Sequence, residues 1–144
     1  MTAELVSYSL TFIIITVIVV YGIGLPYLIS GQEALVKEYY KDHWMFYLTL
    51  DFFLVALYLF LAESLANRLG YKKFYEKLLI LWAVTIAISG GFWLFFSMRT
   101  MTSSFFSRWF HKAGVGAVVY DLVLLTLMYV LYHQGLRIMQ SDRQ

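Results

Sequence analysis

Apolar residues along this chain do not fall into the stripes of a soluble helix; they run in four long blocks separated by short polar stretches. The blocks cover about Leu5 to Leu28, Trp44 to Ala66, Leu78 to Met98 and Ala113 to Tyr132, each close to the roughly 20 residues needed to cross hydrocarbon as a helix. The pattern predicts an all-α polytopic membrane protein: four transmembrane helices forming a single domain over 1–144, with short loops. An even number of crossings places both termini on one side.

The punctuation agrees with this reading. Gly22, Gly24 and Pro26 loosen and end the first helix. In the first connection, Ser30 to His43, Leu35, Val36, Tyr39 and Tyr40 fall near helical spacing, which predicts a segment lying along the interface. The third connection, Arg99 to Lys112, sets Phe105, Phe106, Trp109 and Phe110 against Arg108, His111 and Lys112. That is the pattern of a short amphipathic helix with its rings at headgroup level. Ala83, Ala87 and Gly91 repeat every four residues on the third helix, as do Ala113 and Ala117 leading to Asp121 on the fourth; both are expected to be close helix–helix contacts. Gly90–Gly91 is expected to be a packing notch, and Trp44, Tyr71, Phe74, Tyr75, Trp109 and Tyr132 an aromatic belt.

Composition narrows the function. Hydrophobic residues make up 61% of the chain and charged ones 14%, so lipid is the solvent for most of it and no length is left for a soluble catalytic domain. The net charge is +2 with lysines and arginines spread over the loops, which argues against nucleic-acid binding. Without cysteine there are no disulfides and no thiolate chemistry. Met1 to Glu4 has no basic segment of the kind that opens a cleaved signal. Six lysines and arginines (Arg68, Lys72, Lys73, Lys77, Arg137, Arg143) fall on the side of the termini and five on the other, which leans toward cytoplasmic termini.

Two aspartates stand out. Asp51 and Asp121 lie on helices that run the same way, each about 10–12 Å from the start of its helix. With the chain shifted to superpose them, Leu54, Leu57 and Leu61 fall on Leu124, Leu127 and Leu131, and Tyr39–Tyr40 on Trp109–Phe110. The echo is compatible with two repeated helical hairpins related by an axis along the membrane normal. A carboxylate in hydrocarbon costs about 2.5–3.5 kcal/mol unless it finds a partner, a proton or water. Three roles follow: structural hydrogen bonding to Tyr, Ser or Thr, or pairing with Arg99, Arg108 or Lys112; a proton or cation path; or a catalytic pair. The last lacks any accompanying nucleophile, metal cluster or substrate module. Glu63, near a membrane edge, is expected to reach water or Arg68. His43, His111 and His133, all at predicted edges, are expected to be interfacial, so no metal site and no cofactor is predicted.

Ser103 to Tyr129, with Trp109, Phe110, Gly114, Ala117, Tyr120 and Asp121, and more faintly Asp42 to Glu63, resemble small uncharacterised multi-pass membrane proteins of large DNA viruses of algae and protists. The resemblance implies no activity, only a setting: a viral membrane component, such as one in the membrane inside a virion. The expected role is non-enzymatic, structural or assembly, as a membrane component or an accessory subunit. Its partners would be the lipid bilayer and other membrane or capsid-type subunits or further copies of itself. The alternative is a small proton- or cation-conducting oligomer using Asp51 and Asp121.

Overall fold

The computed structural model describes residues 2–141; Arg143, counted above among the charges, lies outside them. Among the described residues the chain is all helical, with no strand. Helix α1 (Thr2–Ile15) passes without a break into a wider π-helical turn, Thr16–Gly22. Two short helices follow, α2 (Leu25–Ser30) and α3 (Glu33–Lys37), then a second π turn, Glu38–Asp42. The long helices are α4 (Trp44–Arg68), α5 (Phe74–Ser97) and α7 (Val115–Ser141), with α6 (Phe105–Ala113) on the connection before the last.

Four segments are long and apolar enough to cross a membrane: Glu4–Gly22, Trp44–Arg68, Phe74–Ser97 and Val115–Ile138. The chain is an integral, multi-pass membrane protein. The first crossing stops at Gly22 instead of running to Leu28, because Gly24 turns the backbone and Pro26 starts the separate helix α2. The third begins at Phe74, where the Glu76 carboxylate accepts from the backbone N–H groups of Lys72 and Lys73 and caps the helix. The fourth is not finished at Tyr132 but continues as helix to Ser141.

Two stacked apolar clusters fill the bundle. One, toward the termini and the 69–73 loop, centres on Tyr8, Leu59, Leu81, Met128 and Tyr129. The other, at the opposite end, joins Val36, Tyr39 and Tyr40 to Phe105, Trp109, Phe110, Ala117 and Tyr120. The aromatics of α6 and the 33–42 segment are therefore not interfacial rings. Phe105, Trp109 and Phe110 are at least nine-tenths buried, as are Leu35, Val36, Tyr39 and Tyr40, and the two segments cap the bundle together. Only Phe106, half-buried, lies toward the edge. Lipid is one apolar sink for such a face; here a facing aromatic surface of the same chain is another.

Part of the burial pattern recurs at the 70-residue offset. Ser7, Thr11, Ile15 and Val19 form the inner stripe of the first crossing; the residues 70 positions on, half-buried Lys77 and fully buried Leu81, Thr85 and Ser89, form that of α5. At the same offset, buried Val55 and Leu59 match buried Leu125 and Tyr129, and Tyr39 and Tyr40 match Trp109 and Phe110. Most directly, Glu38 and Arg108, equivalent positions 70 apart, meet in a bidentate ion pair at 2.6 and 2.8 Å. Equivalent residues can pair in this way when two like halves face each other across a two-fold axis.

The small-residue stripe of α5 is a correction. Ala83, Ala87 and Gly91 face outward, and a side chain at Gly91 would meet nothing within 4 Å, so neither the stripe nor the Gly90–Gly91 notch packs on a neighbouring helix. The inner face of α5 is Leu81, Thr85 and Ser89 instead. On the fourth crossing the expectation holds for Ala117, which is fully buried, while Ala113 is half-buried. Beside it, a Cβ on Gly116 would come within 3.0 Å of the Ile29 carbonyl, so α2 lies directly against the start of α7.

Candidate functional site

Asp51 and Asp121 enter the bundle from the same end and open onto one cavity of about 480 Å³ between α4, α5, α6 and α7. Each is held by a hydroxyl from a different element. The Tyr39 hydroxyl donates to Asp51 Oδ1 at 2.5 Å, tying the 33–42 segment to α4. The Ser89 hydroxyl donates to Asp121 Oδ2 at 2.5 Å, tying α5 to α7, and Tyr58 of α4 reaches the same Ser89 at 2.8 Å. On the same cavity wall, the Tyr40 and Tyr120 hydroxyls share a hydrogen bond of 2.7 Å. Burial pushes the Tyr39 and Tyr40 hydroxyls well above the usual phenol range, so both stay neutral and able to donate.

Neither aspartate pairs with Arg99, Arg108 or Lys112. Arg108 is engaged with Glu38, and its guanidinium, hydrogen-bonded to the Glu38 carboxylate, holds that group below the usual carboxylate range. Arg99 lies over the Phe95 ring at 4.1 Å, and its carbonyl, with that of Ser107, meets the His111 ring. Exposed Lys112 is at the rim of α6.

A second polar cluster sits at the other end. Glu63 is bound not by Arg68 but by Lys77 at 2.6 Å and by the Tyr129 hydroxyl at 3.1 Å, with His133 Nε2 3.3 Å away. The His133 nitrogen is close to Glu63 without a hydrogen bond between them. Among the described residues no group of three His, Cys, Asp or Glu is arranged to hold a metal ion.

Sequence reasoning found both aspartates and the kind of partner, a Tyr or Ser hydroxyl, but not which residues supply it. Tyr58, Tyr120 and Ser89 are ordinary residues for a membrane helix, and only the fold selects them. The charge reversal between Glu38 and Arg108 was the overlooked signal: at the repeat offset, opposite charges at equivalent positions mark a contact across the axis.

The chain matches no family model, no curated protein and no solved structure.

Proposed function

We propose that the protein is a non-enzymatic structural or assembly component of a membrane, a compact helical scaffold for other membrane or capsid-type subunits or for further copies of itself. The observation that carries this reading is the use of the two aspartates as fasteners: each joins two elements through a hydroxyl donor at 2.5 Å. The outward Ala83, Ala87 and Gly91 stripe would let another helix approach closely from outside. The resemblance to viral membrane proteins supplies a setting, the membrane inside a virion. The side of the termini in this reading is cytoplasmic, as the lysine and arginine count leans.

Conduction of protons or cations is the second reading, favoured by the two carboxyls on one cavity whose wall holds no Lys, Arg or His. Against it, the cavity ends on Val55, Tyr58 and Leu125, above the tightly packed layer of Leu59, Leu81, Met128 and Tyr129. Purified protein in liposomes is accordingly expected to pass neither protons nor cations above empty vesicles. A flux removed by Asp51→Asn or Asp121→Asn in protein that still folds would reverse the two readings.

A further inference from the structure

The cavity itself has a chemistry that the scaffold role does not use. Its volume, about 480 Å³, is that of a small-molecule site; packed interiors rarely hold spaces much larger than a water molecule. It also reaches the outer surface. Leu57 of α4 and Phe92 of α5 belong to its wall, yet they are 49% and 51% exposed, so the helices part there and the pocket opens sideways between them. Both residues lie within membrane-crossing segments, so the opening faces hydrocarbon and a guest arrives through the lipid.

The wall defines that guest. Its residues are overwhelmingly aliphatic and aromatic, which fits an apolar body. The acidic groups on the wall are two carboxyls, with no basic residue to match them, so the complement is a cation. Each carboxyl has capacity to accept more than the hydroxyl bond that fastens it. Ten of the twenty wall residues are aromatic, and ring faces attract an ammonium group, which adds to the same preference. A phosphate-bearing lipid fits poorly, because no Lys, Arg or His is there to receive the phosphate.

We propose that this pocket binds a lipophilic amine, its apolar body against Leu54, Leu57, Phe92 and Phe96 and its ammonium between Asp51 and Asp121. The inference is independent of the scaffold role and survives or fails separately from it.

The test uses full-length protein in phosphatidylcholine nanodiscs, with Trp44, Trp82 and Trp93 replaced by phenylalanine so that Trp109, on the pocket wall, reports alone. The probes are dodecylamine and dodecanol, which share a chain and differ in charge, with empty nanodiscs correcting for partition into lipid. Dodecylamine is expected to shift Trp109 emission saturably and to bind about tenfold or more tightly than dodecanol, as a charge paired away from water should. In D51N/D121N the amine should fall to the level of the alcohol, and L54F, which fills the pocket beside intact carboxyls, should weaken both. Should the double variant fail to fold, each single Asp→Asn variant is expected to lose part of the amine preference, and L54F is read beside it. Equal binding of amine and alcohol to the protein with both aspartates would overturn the proposal, leaving a pocket for ordinary acyl chains. So would amine binding that is undiminished in a folded Asp→Asn variant or in L54F, since the cation would then bind elsewhere.

Discussion

A carboxyl group two turns into a membrane helix is tolerated only with a donor, and in this protein the donors are neutral hydroxyls, not cations. Tyr39 and Ser89 keep the positive charges of the loops out of the bundle while satisfying Asp51 and Asp121. Asparagine at either position keeps an acceptor for these hydroxyls and removes the burial cost of a charge, so Asp51→Asn and Asp121→Asn are expected to be stable. Leucine strands the hydroxyl in an apolar layer and should cost about 1–3 kcal/mol, read from thermal melting in detergent. Leucine variants as stable as the parent would show that the carboxyls fasten nothing. Glu38 gives a pH prediction. Its ionised form is favoured in the fold, so the Glu38–Arg108 contribution is complete above the ordinary carboxylate range and is lost as pH falls through the depressed value. With Trp44, Trp82 and Trp93 replaced by phenylalanine, Trp109 emission should report this loosening of α6 at acid pH, and Glu38→Gln in the same background should lack that step.

Between elements, the sequence is legible where one physical rule dominates. Hydrocarbon demands long apolar helices, so all four crossings can be read from block length alone, with errors at their ends where caps and glycines decide. The capping segments are misread because an amphipathic helix has two ways to hide its rings, in the headgroups or on another part of the chain. Sequence pattern does not distinguish them. For Phe105, Trp109 and Phe110 the surface of Tyr39, Tyr47, Phe96 and Tyr120 wins. The same limit explains Ala83, Ala87 and Gly91: small residues permit close approach without naming which helix approaches. The junctions of these segments are exacting. Gly114, between α6 and α7, has φ +56° and ψ −131°, a conformation essentially reserved for glycine, and Gly116 lies against the Ile29 carbonyl. Gly116→Val is expected to separate α2 from α7 at a cost of about 1–3 kcal/mol, measured as a lower melting temperature. An unchanged melting temperature would place α2 elsewhere.

For the whole molecule, the chain order is twice a crossing, a short capping segment and a second crossing bearing an aspartate. Part of the inner stripes, the capping aromatics and the aspartates fall at one offset, and Glu38 and Arg108, also 70 apart, form an ion pair. The sequence echo showed in the aspartates and aromatics and was obscured elsewhere, because leucine-rich helices match one another cheaply and burial is needed to separate meaningful matches from chance. This arrangement requires both halves to run in the same direction, which brings both capping segments to one face of the membrane and the 69–73 loop to the other. The chain has no native cysteine, so single cysteines can report this cleanly. With an impermeant thiol reagent on sealed vesicles, cysteines at Lys37 and Ser104 should label from one side, and cysteines at Lys73 and Ser141 only from the other. Labelling of the Lys37 and Lys73 positions from the same side would contradict the four-crossing architecture.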